Sequence, residues 1–282
     1  MSARLRLWAG ALLGVLVLSA APHAGAVDRV DYFLKQLEAA GFKVRLQAAY
    51  ILGTLADKRA VPSLVKALQD SHYAVRGAAA IALGSLGDLA AIEPLVRCAS
   101  DEEAWVRSEV MKAFGRLRSP ASLVAIVAAL DDSDWKVRFQ SARTLGRLGE
   151  ARAILPLARI IEAGIDNTEV IDEARASLKK LAPSLDSSEI QTRLRTNDDK
   201  HERARAAVIL GVLGDKGAVP ALIEALGDKE PYVRGYAALA LSSLGDSRAL
   251  GPLQELVGKE LHVRVKSIAV LALSLLKRKV TQ

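Results

Sequence analysis

The fold is decided by a stretch at residues 75–88, which reads VRGAAAIALGSLGD. Its opening Val-Arg pair stands at residues 44, 75, 106 and 137, at a constant spacing of 31, and again at residues 233 and 263, at a spacing of 30. A fixed period of this length is typical of repeat proteins, in which each unit packs on its neighbours along an array. We therefore expect nearly the whole chain to form one repeat array.

Each repeat unit is predicted to contain two helices. Counted from Val, a small residue at the fourth place and large apolar residues at the eighth and eleventh trace one face of an α-helix. The eighth place is held by Leu52, Leu83, Phe114, Leu145, Leu210, Leu241 and Leu271. Asp88, Asp215 and Asp246 are suited to capping the second helix, and a Pro recurs early in it, where a missing N–H is tolerated. With an N-terminal helix near residues 30–39, the sequence predicts eight helix pairs and no strand.

Three motifs resemble the HEAT-repeat family, specifically the short HEAT-like repeats of the phycobilisome-lyase type. They are Asp-x-x-x-x-Val-Arg, Leu-Gly-x-Leu-Gly-Asp and Ala-Val/Ile-x-Pro-Leu, and they cover roughly residues 28–278. The resemblance implies an all-α superhelix, an α-solenoid of about eight two-helix repeats. It places the Val-Arg helix on the concave surface and the Pro-bearing helix outside. Since the family spans scaffolds, lyases and nucleic-acid enzymes, it leaves function open.

The N-terminus has the pattern of a secretory signal peptide. A basic start with Arg4 and Arg6 precedes an apolar run at residues 7–21 and the small residues Ala24-Gly25-Ala26. We expect a signal peptide at residues 1–26, a repeat domain at residues 27–282, and a secreted or periplasmic protein. The apolar run is shorter than the roughly 20 residues of a spanning helix, although an uncleaved membrane anchor remains the alternative.

The repeat pattern is irregular at residues 164–200. Val170-Ile171 replaces Val-Arg, and residues 183–200 are polar and lack the apolar spacing. This segment is either a weak helix or a local break in the array.

The charge and the cysteine content of the chain exclude few classes of function. The net charge of +7 is mild and does not by itself indicate a nucleic-acid partner, which we do not expect. Cys98 is the one cysteine, so no internal disulfide can form. Its helical position, without a nearby His or Lys, predicts a buried core residue and not a nucleophile.

The arginines of the Val-Arg pairs could form a basic stripe, but a structural role is favoured. Asp70, Asp101, Asp132 and Asp228 each precede such an Arg by six residues, and Asn197 precedes Arg203 likewise. Pairing of these carboxylates with guanidinium groups, within and between repeats, would fix the turns.

The third, sixth and tenth places after Val are expected to face the concave surface. In the middle copies these places and their neighbours are basic, without an acidic residue four positions away, which suggests a patch for an acidic partner protein or an anionic glycan. An ordinary solvated face is the alternative. In later copies the places become apolar, at Val208, Val212, Tyr236, Leu239, Ala269 and Leu273. The candidate partner-binding residues are Lys112, Arg116, Arg143, Arg147, Lys180 and Tyr236.

Two further features suggest contacts. Residues 267–276 are apolar nearly all round, which indicates either a partner or self-association there, or burial on the preceding repeat. Aromatic residues precede several Val-Arg helices, at Tyr73, Trp105, Trp135 and Tyr232. They are either interface anchors or side chains that pack adjacent turns together.

No catalytic, cofactor-binding or metal-binding residue is predicted. Deoxyhypusine hydroxylase, a HEAT-like enzyme, binds iron through several His-Glu pairs, whereas this chain has only His201-Glu202. The sequence also lacks a Gly-rich phosphate loop, G-x-S-x-G and C-x-x-C. We expect an exported scaffold that mediates protein–protein interaction through its concave surface, without a cofactor. The alternative is a lyase-like or accessory enzyme related to the bilin lyases.

Overall fold

The computed structural model describes residues 26–164 and 166–281, so the predicted signal peptide lies almost entirely outside the described residues. They contain sixteen α-helices and no strand. The N-terminal unit, which ends at Leu117, contains α1 (Ala26–Gln36), α2 (Phe42–Leu55), α3 (Val61–Ala67), α4 (Tyr73–Leu86), α5 (Ile92–Cys98) and α6 (Ala104–Leu117). The C-terminal unit, which begins at Arg118, contains α7 (Leu123–Ala128), α8 (Trp135–Leu148), α9 (Ile154–Ala163), α10 (Thr168–Leu181), α11 (Ser187–Thr196), α12 (Lys200–Leu213), α13 (Val219–Ala225), α14 (Pro231–Leu244), α15 (Leu250–Lys259) and α16 (Val263–Val280).

The predicted two-helix unit is confirmed along both units. A long helix begins near Val-Arg, and a short 3₁₀ turn leads from its end into the second helix. The predicted aspartate caps close this 3₁₀ turn: the Asp88 carboxylate, for example, accepts a bond from the Ala90 N–H at 3.0 Å. Gly87 ends α4 with a φ of 69°, a left-handed conformation that glycine adopts without steric cost.

The long helices stack in series within each unit. α2 packs on α4 and α4 on α6, while α12 packs on α14 and α14 on α16. The small residues of the repeat allow this close approach. A Cβ atom added to Gly84 would lie 2.7 Å from the Cα atom of Ala113, beside the fully buried Leu83 and Phe114.

Replacing Gly84 with Val should therefore separate α4 from α6. We expect a loss of about 1–3 kcal/mol in the free energy of unfolding, because a well-packed helix interface has no room for added atoms. Urea denaturation followed by circular dichroism measures this. Ser85→Val introduces the same β-branched side chain at an exposed site on the same helix, where it has room, and should have a much smaller effect. Equal losses in the two variants would contradict the close-packing explanation.

The ladder of arginines is structural, but its pairing within repeats differs from the prediction. The residue six positions earlier supplies its backbone carbonyl: Arg76 Nη1 donates to the Asp70 carbonyl at 3.0 Å. The carboxylate comes from the turn of the next repeat, and Arg76 Nε donates to Asp101 at 2.6 Å. The same forward pairing is made by Arg45–Asp70, Arg138–Asp166, Arg203–Asp228 and Arg234–Glu260. Pairing between repeats is therefore confirmed, while the expected carboxylate contact within a repeat is wrong, because the guanidinium reaches forward past its own turn.

The ion pairs of the arginine ladder make the stability of the fold depend on pH. The guanidinium of Arg234 and backbone N–H groups lower the pKa of the buried Glu260 from 4.5 to about 2. The ion pair therefore stabilises the folded state above about pH 4.5, and this contribution is lost as the pH falls towards 2. A decrease of about 2.5 in pKa corresponds to up to about 3 kcal/mol.

Glu260→Gln should lower the urea midpoint at pH 7 and flatten its decline between pH 4.5 and 2.5. Glu255→Gln is the control, because Glu255 is exposed and, among the described residues, forms its ion pair with the likewise exposed Lys259. An unaltered pH profile in Glu260→Gln would contradict the assignment.

The register of the last copy differs from the prediction. Val263 and Leu271 were expected in the core, but both are exposed, and Val265 with Leu276 is buried in their place. The interval from Val233 to Val265 is 32 residues, since α15 has ten residues, against seven in α13 of the preceding copy. Arg264 therefore lies one place before the core Val, outside the arginine ladder. Ala269, predicted on the inner face, is buried for the same reason.

Candidate functional site

The predicted basic residues of the N-terminal unit are engaged by their own neighbours. Lys112 Nζ lies 2.6 Å from Oε1 of Glu109, whose side chain is buried. Arg116 donates to the Ile81 carbonyl at 3.3 Å and to the Ser85 hydroxyl at 3.4 Å. Glu109 is three positions from Lys112, outside the four-residue spacing on which the prediction of a free basic patch rested.

The remaining basic candidates lie in the C-terminal unit. Arg143 and Arg147 are on α8, and Lys180 is on α10. All three are exposed, and they form no ion pair among the described residues. They are available to a partner, and their assignment to a binding surface stays a prediction.

Within the C-terminal unit, two adjoining cavities of about 440 Å³ and about 310 Å³ form a cleft. The larger lobe lies among α9, α10, α12, α14 and α16, and the smaller lobe lies between α14 and α16. The lobes share four lining residues, Tyr236, Leu239, Arg264 and Ile268. The volumes are in the range typical of ligand-binding pockets.

The floor of the cleft is apolar. It is lined by Ile171, Val208, Val212, Leu239 and Ile268. Three of these, together with Tyr236, were predicted on the inner face, and the structure brings them together. Ile171 and Ile268 were missed, because Ile171 occupies an arginine place and Ile268 belongs to the shifted last copy.

The rim of the cleft is cationic. Arg175, Lys179 and Arg264 line the larger lobe, and no described Asp or Glu lines either lobe. Arg175 is 3.3 Å from the exposed Asp172, whereas Lys179 and Arg264 form no ion pair among the described residues. A groove lined by one sign of charge over an apolar floor attracts groups of the opposite sign.

A buried carboxylate holds one wall of the cleft. Glu162, at the end of α9, lies 2.8 Å from Nδ1 of His201 and accepts bonds from Arg205 Nε at 3.0 Å and the Tyr232 hydroxyl at 2.8 Å. The Tyr236 hydroxyl donates to the Glu162 backbone carbonyl. Burial and the neighbouring Glu162 raise the pKa of Tyr232, so its hydroxyl remains a donor. We call these five residues the Glu162 clamp.

The clamp depends on the repeat irregularity. α9 has ten residues, against seven in α3 and α5, and it packs on both α10 and α12. Its extra turn carries Glu162 to the beginnings of α12 and α14. No motif marked Glu162, and the length of the apolar run before residue 164 was the only available signal.

The aromatic residues of the N-terminal unit pack adjacent turns together. The rings of Phe42 and His72 stack at 3.7 Å, and Tyr73 meets Trp105 edge to face at 6.1 Å. Trp105 also covers Gly77, where an added Cβ would fall 2.0 Å from the indole ring. In the C-terminal unit, Tyr232 belongs to the Glu162 clamp.

Cys98 is buried as predicted, and burial raises the pKa of its thiol to about 12, which keeps it protonated and unreactive. No group of three or more His, Cys, Asp or Glu in the described ranges is arranged to hold a metal ion. None of the described helices has the length and hydrophobicity needed to cross a membrane.

Comparison with known proteins identifies the repeats. The family model for HEAT repeats matches residues 30–113, 97–179 and 188–274. A search of the curated proteins gives no match.

Several solved structures are similar to this chain. Human deoxyhypusine hydroxylase in complex with glycerol is 20% identical, with 90% of this chain and 97% of that chain covered and a TM-score of 0.41. The CpcE–CpcF complex of phycocyanin lyase from Nostoc sp. PCC7120 is 20% identical, with 89% and 94% covered and a TM-score of 0.49. An engineered protein is 21% identical, with 88% and 78% covered and a TM-score of 0.45. At these identities and TM-scores the similarities carry no activity over to this chain.

The predicted fold class, an all-α solenoid of HEAT-like repeats, is confirmed by the helices and by the family match. The matched segments cover most of the chain, and the chain belongs to the HEAT-repeat family.

Proposed function

We propose that this protein is an interaction scaffold without catalysis of its own, and that it binds a partner protein through the cleft of its C-terminal unit. The apolar floor of the cleft carries the proposal: Ile171, Val212, Leu239 and Ile268 are only partly buried and line one cavity between packed helices. Apolar side chains grouped in a solvent-accessible cleft are typical of sites that become covered by a partner.

The polar groups beside the floor support binding over catalysis. The hydroxyls of Tyr232 and Tyr236 are already committed to Glu162, and both carboxylate oxygens of Glu162 are taken by donors. A general acid or base must instead reach the reacting atoms of a substrate. These groups shape the cleft wall and are not directed into it as reactive groups.

If the protein were instead a lyase-like or accessory enzyme, we would expect a pocket with converging polar side chains in residues 183–200. A depression of about 220 Å³ does lie there, beside Leu194, Arg195 and Glu224. Its charged groups pair with each other, with Arg195 Nε 2.8 Å from Glu224. Because the two side chains are exposed and neutralise each other's charge, they give the enzymatic alternative little support.

A matched pair of cleft variants tests the scaffold function. Affinity capture from the source cell envelope, quantified by mass spectrometry, should recover a partner with the native protein. Leu239→Glu places a carboxylate on the apolar floor and should reduce recovery at least tenfold, whereas Gln254→Glu on the exposed side of α15 adds the same charge and should not. A partner that binds both variants equally would place the interface elsewhere and refute the role of the cleft.

Export is a second part of the proposal. It is supported by the basic start, the apolar run at residues 7–21 and the small residues before residue 27. Fractionation with N-terminal sequencing should find a secreted or periplasmic protein that begins near residue 27. A chain that retains residues 1–26 in the membrane fraction would support the anchor, and a cytosolic chain with those residues intact would exclude export.

The exposed arginines of α8 could add electrostatic contacts with an acidic partner. Charge reversal at Arg143 should weaken capture and reduce its dependence on salt, and the same is expected of Arg147. Reversal at Arg116 should have less effect, because its guanidinium already contacts its own unit. If the variant with reversed charge at Arg143 captured the partner as well as the native protein does, the exposed arginines of α8 would not belong to the binding surface.

Self-association through α16 is a separate proposal. Val263, Val270 and Leu271 are exposed on this helix. Sedimentation of the native protein and of Leu271→Glu tests it, with a concentration-dependent dimer expected only in the native protein. A monomer at all concentrations would exclude it.

A further inference from the structure

The cleft is divided into two lobes, and this division bears on what it binds. Pro231, Gly235, His262 and Val265 line only the smaller lobe. Ile171, Val208 and Val212 are among the residues that line only the larger one. The lobes meet at Tyr236, Leu239 and Ile268, so an occupant can extend from one into the other.

Both lobes favour apolar groups. The exposed lining of each is more apolar than polar, and Leu239 and Ile268 form a floor common to both. The Tyr236 ring forms part of the same boundary, while its hydroxyl points to the Glu162 backbone and is unavailable to a ligand. Large aliphatic or aromatic side chains are therefore the groups that each lobe would desolvate with a net gain.

The cationic side chains favour a ligand with an anionic group where the two lobes meet. Arg264 lines both lobes, as does Tyr236. Arg264 has no ion-pair partner among the described residues, and Lys179 at the far side of the larger lobe has none either. The guanidinium and ammonium are free to pair with carboxylates from outside.

The number of cations argues for a peptide over a lipid surface. Only Arg175, Lys179 and Arg264 surround the larger lobe, and Arg175 is partly neutralised by Asp172. Anionic membranes are recognised by clusters of about four to eight basic residues on a surface that can lie against the bilayer. Three cations around a cleft fit a single acidic segment better.

We propose that the cleft binds an extended segment of a partner protein in which an acidic residue lies between two large apolar side chains. One apolar side chain occupies each lobe, and the intervening carboxylate pairs with Arg264 at the junction. The inference rests on the proposed scaffold function and adds the chemistry of the partner.

Synthetic fluorescent peptides test this chemistry without the natural partner. Each carries two Leu residues separated by one, two or three positions, with Asp, Asn or Lys between them in Gly-Ser flanks. We expect the Asp series to bind about tenfold more tightly than the Asn series at low salt, with the advantage falling as salt rises, and the Lys series to bind weakest. Fluorescence anisotropy with the full repeat domain gives the affinities.

Two variants locate the binding. Arg264→Glu should abolish the preference for Asp and favour Lys, and Leu239→Glu should weaken all peptides at least tenfold. Lys277→Glu, a charge reversal at an exposed site elsewhere on α16, is the control and should bind as the native protein does. Circular dichroism spectra confirm that each variant is folded.

The contrary outcomes are distinct. Equal affinity for Asp and Lys peptides, no binding by any peptide at millimolar concentration, or an Arg264→Glu variant with unchanged preference would overturn the proposed chemistry. Binding to phosphatidylglycerol vesicles but to no peptide would assign the cations to lipid and also overturn it. If native capture is lost in Leu239→Glu while the peptides fail, the scaffold function stands and only the partner chemistry is wrong.

Discussion

Arg203→Met is expected to lower the free energy of unfolding of the C-terminal unit by about 3–5 kcal/mol, the cost of breaking a buried ion pair from one side. Arg203 donates to both Asp228 oxygens, at 2.7 and 2.9 Å, and to the carbonyls of Asn197 and Asp198 at 2.8 and 3.0 Å. The side chains of the pair are only 6% and 11% exposed, so water cannot replace the lost guanidinium.

Urea denaturation followed by circular dichroism measures the loss. Arg203→Lys keeps the charge but not the planar fork, so it should recover only part of the stability. Arg193→Met removes an arginine from an exposed pair with Glu189 and should change stability by about 0.5 kcal/mol or less. If Arg203→Lys were as stable as the native protein, the planar guanidinium would have no special role. The positive charge alone would then account for the stabilisation by the arginine ladder.

Glu162→Ala is expected to lower the stability of the same unit by about 3 kcal/mol and to weaken binding in the cleft. The carboxylate is 3% exposed, and its removal leaves Arg205 with Glu202 alone and leaves the Tyr232 hydroxyl with only the residue-162 backbone carbonyl, 3.2 Å away, as its acceptor at this position. The ring of Tyr236, whose hydroxyl contacts the Glu162 backbone, then loses a rigid neighbour in Tyr232.

Thermal unfolding and peptide anisotropy on Glu162→Ala, Glu162→Gln and Glu255→Ala separate the two effects. Glu162→Gln preserves the shape and should bind peptides nearly as the native protein does, although it is less stable. Glu255→Ala disrupts an exposed pair and should change neither property appreciably. Full stability and affinity in Glu162→Ala would show that the clamp does not organise the cleft.

The sequence predicted the fold well because repetition multiplies a weak signal. The Val-Arg spacing, the small residues facing the next helix and the capping aspartates recur in several copies, so each copy supports the others. The same reasoning failed where a copy departs from the period. Val263 was aligned on Val-Arg, but the longer α15 makes Val265 the core residue.

The binding site was predicted only in part. Tyr236 and Leu239 fall on the inner face by periodicity, and the structure places both in the cleft. Glu162 could not be predicted, because its partners lie on α12 and α14, 39 to 74 residues away in the sequence. Lys112 has no acidic residue four positions away, as predicted from the sequence, but it forms an ion pair with Glu109 at a spacing of three.

Site-specific photocrosslinking tests the central claim, that the cleft of the C-terminal unit is the partner-binding site, most directly. Benzoylphenylalanine replaces Leu239 in one variant and Gln254 in another, and each is irradiated in the source cells. The account predicts a discrete crosslinked adduct from position 239, absent from position 254 and abolished when Arg264→Glu is added. An adduct from position 254 alone, or none from position 239 while the native protein still captures its partner, would contradict it.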